Sequence, residues 1–586
     1  VRAALESCLA QTLTEIEILA VDDASTDATA SIVEEYERKD PRVRLIRQPE
    51  NLSAFQARRV GIAAASALYV LFLDGDDELA PHAAQFALAK AESARADVVG
   101  FGVEIVATTS GIPTRLLAAL QPQFDEVLAP HIIPRIFPAG EPANGHIWRY
   151  LFATSVLRAA YEGIGEDLTY YRANDLPITF LALALAQKYV SITDRLYKYY
   201  FRRGTSGHTI DGVEHFRFLL SGVEPITAIA PQVQALAARS ADPDELLASY
   251  ESARLHVIAN VLRYCIRDTS GELQRTCLTL LTDGVGDLTA VRAAAAACPE
   301  ALTALSSTTD EPQQPEAAVR SVLLATRRLD TGGLQAVLLE QAAQLSAKGF
   351  RVTIAVQQSA AREIDLPPGV ALVQVEGDDR LAQLDHWLAI CRDHDIDIII
   401  DHYILYNENW PWFALGALAA GIPTIGWVHS FALRPLFDQS ERISFLVTHA
   451  RLLLRVATLS PTDTAFWKLR GIERAVYLPN PLSSVALKAL DSGASRTLPE
   501  GRLELAWWGR LDRSTKQVDH LIEVAERLRA RGTDFRLTII GPDSRDLSAK
   551  DVRKNAIARG VDDVVDLLGE QNSEQLLRTL GRSLAR

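Results

Sequence analysis

The chain has 586 residues, of which 48% are hydrophobic and 23% are charged, and its formal net charge is −14. This length accommodates three or four domains with ample cores, and the composition is ordinary for a soluble globular protein. A balance this acidic argues against a nucleic-acid-binding surface, which would need clustered lysine and arginine.

The five cysteines are scattered, odd in number and without Cys-x-x-Cys spacing. This usage predicts reduced core residues in a cytosolic protein. No apolar run approaches the roughly 18 residues of a membrane-spanning helix, and no signal peptide is visible. We therefore predict a cytoplasmic protein, and leave open a peripheral attachment to the inner face of a membrane.

Residues 1–212, called the first unit below, alternate helix and strand patterns. A helix at the start carries Ala4 and Leu5 on its apolar face, and the next apolar run ends at Asp22 and Asp23. A second strand ends in the turn Asp74-Gly-Asp76-Asp77. Strand-end carboxylates lie where ligands bind in open α/β folds, and oxygen ligands suit Mg²⁺ or Mn²⁺. Alone, this pattern is equally typical of an acidic turn.

In sequence, this part of the chain resembles family 2 glycosyltransferases, which have the nucleotide-sugar-binding GT-A fold, an α/β fold. The resemblance covers roughly residues 1–210 and rests on four segments, residues 20–27, 50–51, 57–58 and 72–77. It implies that Asp22 and Asp23 contact the uracil and ribose side of a UDP-sugar. It also implies that Arg58 lies near the nucleotide, that Asp74 binds the ribose and the metal, and that Asp76 is the principal ligand of Mn²⁺ or Mg²⁺.

The resemblance further implies an inverting displacement with one carboxylate as base for the acceptor hydroxyl. The family has a Glu-Asp pair at the start of a helix for this purpose, and the pair here is Asn174-Asp175. Asp175 fits the role of catalytic base, and Asn174 departs from the pattern. A plain helix N-terminal charge remains the alternative for Asp175. Downstream, His208 lies in a basic loop as a candidate phosphate contact or a solvated side chain.

Two parts of the family pattern are missing. The opening apolar strand and the loop that packs on the base are both absent, since residue 1 falls within the first helix. The sequence also contains no Met. We therefore expect the sequence to be a piece of a longer protein, cut at this end.

From residue 213 to 305 the strand patterns stop, and Ala/Leu/Arg-rich helical periodicity predicts a helical spacer packed on the first unit. The polar, proline-containing residues 306–318 are typical of a linker. Alternation restarts at residue 319, and residues 319–586 are called the second unit below. We predict strands over residues 321–325, 351–356, 371–375, 397–400 and 423–428.

The second unit resembles family 4 glycosyltransferases, which have the double-Rossmann GT-B fold. The matching segments are Gly332-Gly333 before a helix, His429 at a strand end, and Arg510 and Lys516 on one loop. The resemblance implies one lobe over residues 319–490 and a nucleotide-sugar-binding lobe over 491–586. It implies that the glycines lie near phosphates or acceptor, that His429 is catalytic beside the transferred sugar, and that the two cations bind the diphosphate without a metal.

The family's Glu-x7-Glu element is absent, so we expect this lobe to be incomplete. We predict a bifunctional glycosyltransferase that carries out two successive steps of bacterial surface polysaccharide biosynthesis. Its partners would be nucleotide sugars and a glycan or lipid-linked acceptor. One alternative is that one unit is degenerate and serves as a sugar-nucleotide-binding or docking module. A dinucleotide oxidoreductase is disfavoured, because no Gly-x-Gly-x-x-Gly follows a strand.

Overall fold

We analysed a computed structural model of the chain. It describes residues 1–107, 114–165, 168–201, 209–329, 333–359, 364–429, 441–482, 501–513, 516–544, 546–571, 575–576 and 578–579. The statements below concern these residues.

The first unit begins with a small parallel sheet of two strands. Its elements are α1 (Arg2–Leu9), β1 (Ile18–Asp22), α2 (Thr29–Lys39), β2 (Val43–Arg47) and α3 (Ser53–Ala64). β1 pairs with β2 along their whole length, with Asp22 opposite Arg47. Leu5, Val33 and Val43 form the buried core of this part. The predicted first helix and the strand that ends at Asp22 are confirmed.

A second, mixed sheet of six strands completes the first unit. Its elements are β3 (Tyr69–Leu71), β4 (Glu78–Leu79), α4 (Ala83–Ala94), β5 (Val98–Ala107), α5 (Thr114–Ala119), β6 (Glu126–Leu128), α6 (Ile132–Ile136), β7 (Tyr150–Ala153), α7 (Thr154–Tyr161), α8 (Asp175–Leu185) and β8 (Lys188–Phe201). The strand order is β3-β7-β5-β8-β4, and β6 also pairs with β8. Only β5 and β8 are parallel neighbours. β3 has no pairing with β1, so the two strands that end in aspartates belong to different sheets.

The helical spacer packs on both units, which corrects the prediction that it packs on the first. Its helices are α9 (Val213–Leu220), α10 (Glu224–Ala228), α11 (Ala230–Ala237), α12 (Pro243–Asp268), α13 (Gly271–Val285), α14 (Asp287–Ala297) and α15 (Leu302–Thr308). Side chains of α10, α11 and the start of α12 share a buried core with the first unit. Those of the end of α12, with α13–α15, share another with the second unit. The prediction of a linker from residue 306 is wrong for its first three residues, because α15 ends at Thr308 and buries Ser306.

The second unit starts with a seven-stranded sheet. Its elements are β9 (Ser321–Thr326), α16 (Gly333–Ala347), β10 (Arg351–Val356), β11 (Val370–Gln374), α17 (Arg380–Asp393), β12 (Ile398–Asp401), α18 (Trp410–Ala419), β13 (Thr424–Val428), α19 (Arg442–His449), β14 (Leu453–Thr458), α20 (Pro461–Leu469) and β15 (Ala475–Tyr477). The order is β11-β10-β9-β12-β13-β14-β15, and all neighbours are parallel. The strand order reverses at β9, between β10 and β12. Such a switch point opens a crevice at the carboxyl ends of the strands.

A third sheet, with its own core, follows. Its elements are β16 (Leu503–Trp508), α21 (Asp519–Ala530), β17 (Phe535–Ile540), α22 (Ala549–Ala558) and β18 (Val565–Leu567). The three strands are parallel in the order β16-β17-β18. The five strands predicted at the start of the second unit are confirmed, and each of their ends lies within one residue of its predicted position.

Candidate functional site

Arg58 contacts two of the carboxylates that the sequence analysis singled out in the first unit, Asp74 and Asp175. It lies on α3, and its guanidinium donates to Asp74 Oδ1 at 3.1 Å and to Asp175 Oδ1 at 2.5 Å. A further bond of 3.0 Å reaches Asn174 Oδ1. The Arg58 side chain is only 12% exposed. Burial alone would lower its pKa, but Asp175 and Asp74 raise it above the ordinary value. The structure thus brings three predicted site residues together: the Arg58 cation and the two carboxylates that it contacts.

Asp175 owes its place to the start of α8. It is the first residue of that helix, after Asn174 at the N-cap. Negative charge is favoured there by the helix dipole. The Asn174 side chain also donates to the Tyr170 carbonyl at 3.1 Å, which orders the approach to the helix. Asn174 therefore contacts Arg58 through its oxygen and the backbone through its nitrogen, whereas a glutamate could make only the first contact.

The two aspartates at the end of β1 have different surroundings. Asp23 Oδ1 accepts from the Gln48 side chain at 2.6 Å and from the Leu52 N–H at 2.7 Å, beside the start of α3. Asp22 is 7% exposed, and its Oδ1 is buried without a hydrogen-bonding partner among the described residues. An unpaired buried carboxylate oxygen is costly unless a donor meets it. Asp22 is therefore suited to accept from a bound ligand, and Asp23 to fix the loop that leads to Arg58.

The three carboxylates in the turn after β3 have different surroundings. Asp77 is buried and accepts from the Tyr197 hydroxyl and the Tyr200 N–H, both at 2.8 Å. Burial raises its pKa to about 6. Asp74 faces Arg58, whereas Asp76, which lies between Asp74 and Asp77 in the turn, is exposed. Asp77 thus anchors the turn to β8, and Asp76 is the carboxylate directed to solvent.

The donor set at this turn fits a divalent cation of the Mg²⁺ class. In the part of the chain that the structure describes, no three His, Cys, Asp or Glu side chains are grouped to hold a metal by themselves. Mg²⁺ is usually bound through one or two carboxylates together with substrate phosphates and waters, so a single exposed carboxylate such as that of Asp76 is compatible with this mode of binding. Asp76 is the residue that would hold the ion.

In the second unit, polar side chains collect at the switch point of the parallel sheet. Asp401 ends β12, is 6% exposed, and accepts from the Tyr403 N–H at 2.8 Å. Burial raises its pKa to about 7. His402 follows, and its Nδ1 lies 2.8 Å from Nε2 of His429, which follows β13. A small cavity opens here between β9 and β12, lined by Thr326, Gln357, Asp401, Tyr403 and Asn407 together with apolar side chains.

The sequence analysis singled out His429 but neither Asp401 nor His402, which the structure places beside it. The available signal was the apolar run Ile398–Ile400 followed directly by Asp-His, the same strand-end pattern that singled out Asp22 and Asp74. Gly333 begins α16, at the edge to which β9 leads. Gly332 and His208 lie outside the described residues.

At the third sheet, three glycines end the three strands. Gly509, Gly541 and Gly569 follow β16, β17 and β18, and Gly541 donates its N–H to the Gly569 carbonyl at 2.8 Å. Gly541 has φ of 150°, and a Cβ there would lie 1.8 Å from the Gly509 carbonyl oxygen. Only glycine fits such an approach.

The two predicted cations of this lobe both neighbour Asp512. Arg510 is 61% exposed and approaches Asp512 Oδ2 at 3.6 Å, and the Lys516 N–H donates to Asp512 Oδ1 at 3.3 Å. The contact of Lys516 is made by its main chain, and the Arg510 side chain, next to Gly509, is largely exposed. Across the described ranges, no helix combines the length and apolarity needed to cross a bilayer.

Comparison with known proteins relates the first unit to one family. Residues 1–134 match the family described as Glycosyl transferase family 2. The uncharacterized glycosyltransferase EpsJ of Bacillus subtilis (strain 168) is 31% identical over 197 residues, 33% of this chain and 55% of that protein. The succinoglycan biosynthesis protein ExoO of Rhizobium meliloti (strain 1021) is 37% identical over 103 residues, 18% of this chain and 29% of that protein.

The chain thus spans about half the length of EpsJ and less than a third of ExoO. Among solved structures, residues 1–349 of S. aureus TarS in complex with UDP-GlcNAc are similar at 20% identity with a TM-score of 0.32, over 52% of this chain and 86% of that chain. The residues matched at the N-terminus carry the relationship: residues 1–134 are similar to glycosyl transferase family 2.

Proposed function

We propose that the chain is a glycosyltransferase acting in polysaccharide biosynthesis, and that its first unit transfers a sugar from a UDP-sugar to a glycan or lipid-linked acceptor. The observation that carries the proposal is the double contact of Arg58 with Asp74 and Asp175. It sets the candidate nucleotide-binding carboxylate and the candidate base on either side of one guanidinium. The family 2 match and the similarity to ExoO, a succinoglycan biosynthesis protein, support the same class of reaction.

In the proposed mechanism, Asp175 takes the proton of the acceptor hydroxyl while that oxygen attacks the anomeric carbon. The bond from this carbon to the diphosphate breaks in the same displacement, so the anomeric centre is inverted. Arg58 holds Asp175 in position, and Asp22 accepts from the nucleoside through its unpaired Oδ1. A divalent cation bound at Asp76 would supply charge neutralisation for the diphosphate.

For the second unit we propose a GT-B transferase that needs no metal and performs a second step on the same glycan. The switch-point crevice of its parallel sheet and the exposed Arg510 support a ligand site between two lobes. Arg510 and Lys516 would stabilise the departing diphosphate. The alternative is one active unit beside a degenerate sugar-nucleotide-binding or docking module. Asn174, where the family has glutamate, favours this alternative for the first unit.

Transfer assays of the full chain against a panel of nucleotide sugars test the first-unit proposal. Asp175→Asn should reduce transfer by at least a hundredfold with donor affinity little changed, since a base acts only in the transition state. Asp287→Asn is the matched control, because Asp287 also opens a helix but lies in the spacer. Loss of donor binding in Asp175→Asn would instead assign Asp175 to the ligand site.

Metal dependence separates the two units. We expect EDTA and Asp76→Asn to stop the first transfer, and Lys516→Ala to depress only the second. Equal turnover in EDTA and in Mn²⁺ would refute the role of Asp76. Complete loss of both transfers in Lys516→Ala would refute two independent active units.

A further inference from the structure

Two histidines are in direct contact at the carboxyl edge of the seven-stranded sheet. Nδ1 of His402 lies 2.8 Å from Nε2 of His429. The Trp427 ring is stacked against both, with ring centroids 5.3 Å and 5.6 Å away and interplanar angles of 16° and 13°. Trp427 precedes His429 by two residues and so shares its side of β13. The orientation of both imidazoles is therefore fixed by packing.

The two rings share one hydrogen. His402 is 2% exposed, and burial, with the neighbouring His429, holds its pKa well below the ordinary value of 6.5. Burial lowers the pKa of His429 to about 4. Each ring is thus neutral at pH 7 and carries a single N–H. Either His402 Nδ1–H donates to His429, or His429 Nε2–H donates to His402.

The surroundings of His402 distinguish these two arrangements. Its Nε2 is buried and meets no hydrogen-bonding partner among the residues described. If His429 donated, this Nε2 would carry the hydrogen and leave a buried N–H unpaired. If His402 donates, only a lone pair is left unpaired. Orphaned buried N–H groups are rarer than under-satisfied acceptors, so the arrangement in which His402 donates to His429 is favoured.

We infer that His402 is a positioning residue that sets the tautomer of His429, so that His429 presents an Nδ1–H donor to the ligand instead of a basic lone pair. The inference rests on the proposed function of the second unit. An N–H donor at a strand end suits an oxygen of the sugar nucleotide, either a sugar hydroxyl or a phosphate oxygen. His429 is then a binding residue for that oxygen, and the proton of the acceptor must go elsewhere.

The chain supplies its own reference states for a test by NMR. In His256 and His449, Nδ1 lies 2.8 Å and 3.0 Å from the carbonyl oxygens of Ser252 and Phe445, so each must carry hydrogen on Nδ1. In His386, Nδ1 accepts from the Glu376 N–H at 2.7 Å, so the hydrogen must lie on Nε2. Both tautomers are therefore represented by residues outside the pair.

The experiment uses the full chain labelled with ¹⁵N-histidine, recorded through two-bond couplings at pH 7, with His429→Gln to assign the His429 signals. We expect His429 to match the pattern of His256 and His449. A His429 pattern matching that of His386 would overturn the inference. Since the spectrum needs neither donor nor acceptor substrate, it stands whether or not the second transfer is detected, and failure of that transfer is a separate result.

Two variants then test the role of His402 itself. His402→Asn keeps an N–H donor close to the Nδ1 position, and His402→Phe keeps a ring to stack on Trp427 without any donor. His429 should retain its tautomer in the first and lose it in the second. Unchanged signals of His256, His386 and His449 report that each variant is folded. An unchanged His429 in a folded His402→Phe would show that His402 does not set the tautomer.

Discussion

Arg58 is the residue on which the geometry of the first unit depends most. It lies 16 residues from Asp74 and 117 from Asp175 in the chain, yet one guanidinium bonds to both. A lysine could not replace it, because a single ammonium lacks the planar fork that reaches two carboxylates at once. Without this cation, two carboxylates of like charge would lie near each other in a largely buried position.

Arg58→Ala should therefore destabilise the first unit by about 2–3 kcal/mol, at or below the lower end of the range for a broken buried pair, because the Asp74 side chain is 38% exposed. It should also abolish donor binding. Arg59→Ala is the matched control, since Arg59 bonds to carbonyl groups of residues 161–165 and to no site carboxylate. Denaturant unfolding and donor titration measure both effects. Full donor affinity in a folded Arg58→Ala would contradict the assignment.

Asp401 predicts a pH dependence of stability in the second unit. Burial raises its pKa from 3.8 to about 7, against the Tyr403 N–H, which lowers it. Between these values the folded chain binds more protons than the unfolded chain, so this contribution to stability falls as the pH rises from about 4 to 7 and is constant above. Asp401→Asn removes the ionisation and keeps the acceptor for Tyr403.

The stability of Asp401→Asn relative to the wild type should thus increase over that window, by at most on the order of 4 kcal/mol. Comparing the two proteins at each pH separates this effect from that of His402 and His429, which titrate in both. Hydrogen exchange of the β12 amides, corrected for the intrinsic effect of pH, provides the measurement. A difference that is the same at pH 4 and pH 7 would rule out a buried, protonated Asp401.

At the scale of elements, the sequence predicts strand bounds best where the burial of a strand gives it a continuous run of apolar residues. β9 and β10 are covered on both faces, so they read as continuous apolar runs, and their bounds were predicted within a residue. Strand-end carboxylates were predicted for the same reason. The pairing of strands was not, because it depends on contacts between distant segments: β1 and β3 lie in separate sheets.

The candidate site shows the same division. The local sequence suffices to predict that Asp74 follows a strand and that Asp175 begins a helix. Their shared contact with Arg58, the burial of Asp22 and the contact of His402 with His429 could not be predicted in this way, since each depends on residues from different elements. The spacer is a further case: its helical periodicity reveals an apolar face but not which unit covers it.

One ion pair connects the spacer to the second unit. Arg292 on α14 donates to both carboxylate oxygens of Asp385 on α17, at 2.7 Å and 3.0 Å, and also contacts Glu251 on α12. Because Asp385 is 38% exposed, we expect a coupling energy of about 1 kcal/mol between Arg292→Ala and Asp385→Ala. A double-mutant cycle by denaturant unfolding measures it. Additive effects of the two substitutions would mean that packing alone joins the helices.

At the scale of the whole molecule, the spacer makes the two units one packed body. A single buried cluster contains residues of the spacer, such as Leu262 and Ala294, and of the second unit, such as Trp410 and Leu453. Another joins the first unit to Ile226, Val233 and Tyr250 of the spacer. The connecting residues 313–318 are mostly exposed and lie outside both clusters.

Cleavage within residues 313–318, at a protease site introduced there, should therefore leave the two fragments associated under native conditions. Apolar burial is retained across the cut, and only the covalent connection is lost. Size-exclusion chromatography measures the outcome, with the uncut variant as control. Separation of the fragments without denaturant would show that the linker, and not the shared core, holds the units together.

The contact between Gly541 and the Gly509 carbonyl has a consequence for how this lobe can diversify. Here the separation of two strand tips is set by main-chain atoms, with no side chain that mutation could lengthen or shorten. Under the proposed function, a change of donor would then require substitutions in the loop that carries Arg510 and Lys516, because the spacing of the strand ends leaves no room for a side chain at Gly541.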